Sequence, residues 1–444
     1  MDRTGRESGL PAPDPQDSLI TQLNVITPAD HGIDARQLCP NATEVVERLQ
    51  EAGFEAYIVG GSVRDLLLGK IPKDFDIATD ATPEEVKTVF PRCRLIGRRF
   101  RLAHVRMRRD LLEVATFRGQ GDVHQDAEGR ILRDNVWGTV AEDAVRRDFT
   151  INALFMDPVS GEIRDYVDGY PDLQERRLRL IGDPATRYRE DPVRILRAAR
   201  FIAKLGVEPD PSTVEPMAEV VPQLEQIPPA RLFEEVCKLF LTGHGQRTME
   251  TLQRFGLTRY LFPVLDGGSG GKANLHPMVM RALKSTDDRI AQEKSVTPAF
   301  LIAALLWEAV ESRYNAYVEA GVSPFQAMER AGDEVLREQV QRTAIPRRFS
   351  TVTRQIWLNQ VRLTRTRGKR ALSILHQPRF RAAYDFLVLR SLDDPELTEL
   401  AEFWTEAQKN MPEAAVSPGP KKRRRRRRRR GRGGAKADSG GSTQ

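Results

Sequence analysis

Two glycines and two aspartates in residues 57–81 (YIVGGSVRDLLLGKIPKDFDIATDA) have the types and spacing for phosphate and metal chemistry. The apolar run 57–59 reads as a strand leading into Gly60-Gly61, residues 62–68 read as a short helix closed by Gly69, and a second strand carries Asp74-Phe75-Asp76-Ile77. Residues without a Cβ let a triphosphate approach the backbone, and a helix N-terminus behind them offers N–H groups and the positive end of a dipole. Phosphate is therefore expected near Ser62. On a strand, residues two apart share a face, so Asp74 and Asp76 aim two carboxylates at one spot while Phe75 and Ile77 turn to the core. Mg²⁺ takes one or two protein carboxylates and fills its other positions with water and phosphate oxygens. Either pair alone is commonly an ordinary solvated turn; together, on a strand–helix–strand frame, they predict a nucleotide site with a metal.

GGSVRD followed by DFDIAT resembles the signature of the nucleotidyltransferase family that includes the class II CCA-adding enzymes and the bacterial poly(A) polymerases. The resemblance implies that Gly60, Gly61 and Arg64 hold a triphosphate and that Asp74 and Asp76 are catalytic metal ligands. RRDFTINAL (residues 146–154) resembles the family's second motif. There Arg147 can donate to sugar or phosphate oxygens, and Asp148 can accept from a ribose hydroxyl. Asp148 joins the catalytic acids by its place in the motif. Asp165, Tyr166 and Gly169 match the third motif loosely.

EDPVRILR, from Glu190, resembles the fourth motif, in which an aspartate and an arginine act as a protein template for the incoming base. Asp191 can accept from an exocyclic amino group while Arg194 donates to the adjacent ring nitrogen, and Arg197 follows at the same three-residue spacing. Adenine and cytosine present the same amino-plus-acceptor edge, whereas uracil and guanine present the reverse. The motif predicts rejection of UTP and GTP and leaves open the choice between ATP-only polymerisation and CCA addition.

Glu113 lies in an apolar strand (residues 111–117), where an unpartnered buried carboxylate would cost several kcal/mol. It is expected to be a third metal carboxylate beside Asp74 and Asp76; an ion pair with Arg118 is the ordinary alternative. The arginine-dense LIGRRFRLAHV (residues 95–105) resembles the bacterial poly(A) polymerase branch more than the tRNA-finishing one, although a solvated strand edge would also account for it. Residues 119–136 read as a loop over the site.

The elements that must position these groups follow from pattern. A helix is expected after Asn41 with Glu44 completing a capping box, another at Thr82-Pro83-Glu84-Glu85, and a hairpin across residues 153–166. Asp191 caps an amphipathic helix with Pro192 in its first turn, an apolar stripe of Ile195, Ala198, Ile202 and Leu205, and Gly206 at its end. From about Val207 the pattern is helical throughout, with Phe233, Leu239 and Phe240 as core. Trp357, Tyr384 and Lys369 or Arg370 could meet RNA, although a solvated helix surface accounts for them as well.

The 444 residues carry 69 Lys or Arg, 62 Asp or Glu and three cysteines. Residues 421–438 alone hold twelve Lys or Arg against one Asp, so of the net charge of +7 this run supplies +11 and the remainder carries −4. Electrostatic capture of RNA must therefore come from local patches and from the tail, whose repelling charges bury no apolar surface. Cys39, Cys93 and Cys237 lack the spacing of a zinc site or a disulfide framework. No run of about 18 apolar residues and no basic-then-apolar leader occurs, which fits a soluble cytoplasmic protein.

The sequence thus predicts an α+β protein: a disordered segment (1–25), a nucleotidyltransferase head with a small mixed sheet (26–180), a helical nucleotide- and RNA-binding neck (181–265), a helical RNA-binding body (266–415) and a disordered arginine-rich tail (416–444). The resemblance implies Mg²⁺-dependent addition of AMP from ATP to single-stranded RNA 3′ ends, with RNA-decay factors as partners. CCA addition to tRNA and a non-catalytic RNA-binding adaptor are the alternatives.

Overall fold

Eight strands form one mixed sheet around the Gly-Gly and Asp-x-Asp stretch. The computed structural model describes residues 22–97, 101–119, 124–125, 131–133, 136–265 and 277–409. The strands are β1 (Asn24–Ile26), β2 (Ala56–Val59), β3 (Asp76–Thr79), β4 (Cys93–Ile96), β5 (Leu102–Met107), β6 (Asp110–Thr116), β7 (Leu154–Met156) and β8 (Ile163–Asp165), in the spatial order β1-β8-β7-β2-β3-β6-β5-β4. Only β3 and β6 pair in parallel; the other neighbours are antiparallel. The expected disorder through residue 25 therefore meets a strand at Asn24, because pairing with β8 buries Ile26. An edge strand of three residues leaves no compositional trace.

Helices α1 (Pro40–Glu51) and α3 (Pro83–Val89) cover one face of the sheet. The α1 start differs from expectation: Cys39 precedes Pro40 at the first position, and Asn41 instead donates from Nδ2 to Asp110 Oδ2 at 2.6 Å. At α3 the expected chemistry is present, with Thr82 and Glu85 bonding each other's backbone N–H. Between them in sequence, α2 (Gly61–Leu67) follows β2 directly. On the opposite face α4 (Val140–Arg146) brings Val140, Ala144 and Val145 onto Tyr57, Val59, Ala78, Phe117 and Phe155. Burying each such aromatic contributes roughly 1.5–3 kcal/mol, which makes this layer the anchor of the motif-bearing strands. The 153–166 hairpin forms as expected. Asp165 serves it structurally: buried, it accepts from the backbone N–H of Val167, Gly169 and Tyr170.

Helices α5 (Pro184–Glu190), α6 (Val193–Leu205), α7 (Pro229–Phe240) and α8 (Gly245–Arg254) follow. The apolar stripe of α6 is buried, and Gly206 ends the helix at φ 66°, a left-handed conformation that suits glycine. Asp191 closes α5 instead of capping α6 outright, although its Oδ1 accepts from Val193 N at 3.3 Å and Pro192 stands just before the helix. The helical text after Val207 is interrupted by Glu208–Pro209, which pairs in parallel with Arg177–Leu178.

The chain divides into two compact units, at Val361/Arg362. In the first, helices continue through Pro277–Ala291, Pro298–Leu305, Trp307–Glu319 and Pro324–Arg342. Trp357 is fully buried there and donates to Ala303 O, so it is core and is neither a stacking platform for RNA nor solvated surface. In the second, Phe380–Ser391 and Thr398–Lys409 pack around Trp404 and Phe380, with Tyr384 stacked on Phe380 and bonded to Thr405. The side chains of Lys369 and Arg370, the GGSGG run (267–271) and the basic tail lie outside the described residues, as do most of residues 119–136 and Arg98 to Phe100 of the arginine-dense segment.

Candidate active site

The turn from β2 into α2 puts Gly60 at φ 72°, where a Cβ would stand 3.3 Å from Arg147 Nη1; a Cβ on Gly61 would meet Arg64 Nη2 at 3.4 Å. Both glycines keep room for guanidinium groups. Ser62, expected to meet phosphate, is buried, and its hydroxyl donates to Val59 O at 3.1 Å, so its side chain is committed to the turn. Arg64 is 3% exposed, bonded to Asp65 and, through Nη1, to Asn152 Oδ1 at 2.5 Å.

Gly60, Gly61 and Arg64, but not Ser62, line a cleft of about 870 Å³ that Asp76, Arg147, Asp148, Asp191, Arg194 and Arg197 also line. The structure therefore gathers most of the sequence-predicted site residues from residues 60 to 197. Nine cationic side chains against five acidic ones line it, an excess that suits a triphosphate. Asp74 and Glu113 are not among the lining residues.

Asp74 lies just before β3, and exposure alternates over residues 74–77 with Phe75 and Ile77 buried, as two-residue periodicity requires. Glu113 departs from expectation. It is 53% exposed with Leu112 and Val114 turned inward, and its neighbour is His104 at 3.3 Å, not Arg118. Glu113 is therefore not a buried carboxylate in need of a partner: β6 alternates, and Glu113 faces the open side. Register nevertheless brings it to Asp76: β3 and β6 pair Ile77 with Val114, and one residue back on each strand sets Asp76 beside Glu113. Desolvation pushes the Asp76 carboxyl above the usual range, Glu113 and Asp74 add to the rise, and Arg147 opposes it. Although Asp76 touches solvent, it thus carries negative charge crowded by two other carboxylates. Among the described residues no three such groups close a metal cage. Hard oxygen donors crowded beside a cleft of nucleotide size fit an ion such as Mg²⁺ that uses one or two protein carboxylates.

Asp148 is saturated. Its Oδ1 accepts from Phe149 N (2.9 Å) and Asn152 Nδ2 (3.0 Å), and its Oδ2 accepts from Arg197 Nε (2.7 Å) and makes an ion-pair contact with Nη2 (2.5 Å). Burial opposes its ionisation, but Arg197 and the hydrogen bonds prevail and hold its carboxyl below the usual range. Arg147 pairs with Asp143 at 2.8 Å, lies over the Phe155 ring and donates to Asn152 O. On the helical side, Asp191 accepts from Arg231 at 2.6 Å and Arg194 pairs with Glu190 at 2.9 Å. Arg187 ties the two sides together: Nη2 donates to the carbonyls of Arg146 (2.8 Å) and Arg147 (2.7 Å), and Nη1 pairs with Glu190. Burial and the neighbouring Arg194 bring its guanidinium down to about 10.

Three family models match the chain: "Poly A polymerase head domain" over residues 56–179, "Probable RNA and SrmB- binding site of polymerase A" over 206–267, and "Polymerase A arginine-rich C-terminus" over 320–433. Poly(A) polymerase I of Salmonella typhimurium is 46% identical over 406 residues, covering 88% of this chain and 87% of that one. The chain belongs to the bacterial poly(A) polymerase I family. A CCA-adding enzyme from Streptococcus gordonii is 40% identical over 226 residues, 51% of this chain and 56% of that one. The solved CCA-adding enzyme of Bacillus stearothermophilus in complex with CTP superposes with a TM-score of 0.56 at 25% identity, covering 83% of each chain.

Within the frame of a bacterial poly(A) polymerase, sequence reasoning missed Asn152, Arg200, Lys204 and the polar face of α7. Arg231, Glu234, Glu235 and Lys238 all line the cleft. Their spacing of three, four and seven residues is one helix face, a signal that was legible but was overshadowed by the apolar stripe of the same helix. Phe201 belongs to this group as well, with the guanidinium groups of Arg64, Arg197 and Arg200 within 5.2, 5.7 and 4.8 Å of its ring.

Proposed function

We propose that this protein adds AMP from ATP to RNA 3′-hydroxyls without a template, releasing pyrophosphate, in RNA processing and decay. The observation that carries this reading is the reach of the two similarities. Sequence likeness to the Salmonella typhimurium poly(A) polymerase I runs through 88% of the chain at 46% identity, whereas sequence likeness to the Streptococcus gordonii CCA-adding enzyme covers 51%.

Gly60, Gly61 and Arg64 would hold the triphosphate, with the cationic excess of the cleft supplying the counter-charge. Arg147 reaches sugar or phosphate oxygens. Asp148, with both carboxylate oxygens already engaged, keeps Arg197 and Asn152 in place and acts as a positioning residue for the sugar site. Asp191 and Arg194 present an acceptor and a donor to the base edge, braced by Arg231 and by Glu190. Asp74 and Asp76 are the metal ligands, and Glu113, beside Asp76 on the next strand, is the third carboxylate. Held by these carboxylates, Mg²⁺ would supply a lowered pKa for the RNA 3′-hydroxyl and counter-charge for the in-line displacement.

The partners on this reading are ATP and single-stranded RNA 3′ ends, with RNA-decay factors as further partners and the cytoplasm as the place of action. Among the described residues no helix is long and apolar enough to cross a membrane. The head (26–180), neck (181–265), body (266–415) and tail (416–444) remain the proposed division of labour, with nucleotide chemistry in the first two and RNA capture in the others.

CCA addition is the second reading, because the base edge that Asp191 and Arg194 select is shared by adenine and cytosine. The deciding experiment incubates purified protein with Mg²⁺ and an unstructured oligo-RNA, supplying ATP, CTP, GTP or UTP singly. A long ladder with ATP alone is expected. One or two additions with CTP, and CCA completion on a trimmed tRNA, would transfer the assignment to the tRNA enzyme. No extension at all would leave only an RNA-binding adaptor.

A further inference from the structure

The sheet face that carries Asp76 continues past Glu113. Strands β6 and β5 pair Glu113 with His104, and β5 and β4 pair His104 with Arg94, so Asp76, Glu113, His104 and Arg94 form one row across four strands. Arg106 lies two residues beyond His104, on the same face, opposite Leu111. The other face of these strands is closed: Ala103, Val105, Met107, Leu112 and Val114 are buried, with α3 packed against them. The face with the row is open, with Arg94, Arg106 and Glu113 exposed and Leu111 59% exposed. Neither Arg94 nor Arg106 has an ion pair or a side-chain hydrogen bond among the described residues, whereas Arg147, Arg194, Arg197 and Arg231 of the cleft are each paired with a carboxylate.

Geometry of the reaction gives this face a direction. In-line displacement requires the attacking hydroxyl to approach the α-phosphorus from the side opposite the leaving pyrophosphate. On the proposed reading the triphosphate lies on the Gly60 and Arg64 side of Asp76, and Glu113, on β6, is on the other side of β3. The strand that brings the hydroxyl therefore arrives over β6, β5 and β4. Two guanidinium groups with no protein partner, continuous with the catalytic carboxylates, complement a polyanion there.

We propose that the open face of β4–β5–β6, anchored by Arg94 and Arg106, is the subsite for the terminal phosphodiesters of the RNA being extended. The inference rests on the polyadenylation reading and assigns its acceptor strand. Both arginines are positioning residues for the RNA 3′ end, and the exposed Leu111 beside Arg106 supplies apolar surface for a base or ribose.

The test uses the full chain with Arg94→Gln and Arg106→Gln, singly and together, and with Lys at both positions as the charge-preserving control. Extension of a labelled oligo-RNA by ATP is followed as RNA concentration, ATP concentration and salt are varied. In the double Gln variant the KM for RNA should rise about tenfold and the salt slope should fall by roughly 0.7 per lost contact, with KM for ATP unchanged and Lys restoring most of the loss. An RNA with neutral methylphosphonate linkages at its last two positions should weaken the wild type but weaken the Gln variant little further. An unchanged RNA KM, or an equal methylphosphonate penalty in both proteins, overturns the proposal. Fluorescence anisotropy with a 3′-deoxy oligo makes the same comparison without turnover. If the wild type extends no RNA, the polyadenylation reading fails, and the methylphosphonate comparison in binding still decides for or against the arginine face.

Discussion

Asp148, from the head, and Arg197, from α6, meet at one carboxylate oxygen, through a hydrogen bond of 2.7 Å from Nε and an ion-pair contact of 2.5 Å from Nη2. This pair fixes the Arg147–Asp148 motif against the helix that carries Arg194. The other oxygen of Asp148 leads through Asn152 to Arg64, so the motifs that carry Arg64, Asp148 and Arg197 share one chain of polar contacts.

Replacing Arg197 with Gln should leave a buried carboxylate without its counter-charge and destabilise the protein by about 3 kcal/mol at neutral pH. The paired Asp148 has its carboxyl lowered, so it contributes stability above the ordinary carboxylate pKa that is lost as pH falls through the lowered value. Without Arg197, burial alone would raise it. The gap between wild type and variant should therefore narrow as pH drops towards about 4, which urea unfolding at a series of pH values reads directly.

Asp76 has the opposite sign. Desolvation, Glu113 and Asp74 raise its carboxyl, so its ionisation opposes folding increasingly as pH rises. In a chelator, Asp76→Asn should melt at a higher temperature than wild type at pH 7.5, and the advantage should shrink towards pH 4. A variant less stable than wild type at neutral pH would contradict the crowding of carboxylates at this position.

Asp74→Ala should reduce nucleotide addition by roughly 10³-fold or more, the equivalent of about 4 kcal/mol of transition-state stabilisation, while RNA affinity stays nearly intact. Single-turnover extension measured beside filter binding separates the two. Full activity would remove Asp74 from the metal site.

The ion pair between Asp191 and Arg231 predicts a change in selectivity rather than in folding. Arg231→Met should lower kcat/KM for ATP about tenfold and raise the share of UTP or GTP incorporated, because Asp191, the carboxylate proposed to accept from the base amino group, loses its brace. Competition between paired nucleotides on one primer measures it.

Removing residues 421–444 should weaken RNA binding and flatten its salt dependence, by roughly 0.7 in slope for each lost phosphate contact. An unchanged slope would show that the twelve basic residues of this run are not on the phosphates.

The sequence by itself determined the local frame: the strand, glycine turn and helix at residues 56–67, the alternation that turns Asp74 and Asp76 outward, the amphipathic α6 and the family membership that these motifs carried. Each depends on neighbours within a few residues, where periodicity and backbone preference act. Tertiary structure alone decided which charges meet. Glu113 read as a buried carboxylate within an apolar run, and the parallel pairing of β3 with β6 made it an exposed neighbour of Asp76. Trp357 read as surface, and the helices around it made it core. Arg231 and Asp191, Asp148 and Arg197, and the row from Asp76 to Arg94 join residues that are distant in sequence, and their partners are set by strand register and helix packing. Such pairings cost little local free energy to exchange, so no pattern along the chain records them; the folded core that fixes the distances does.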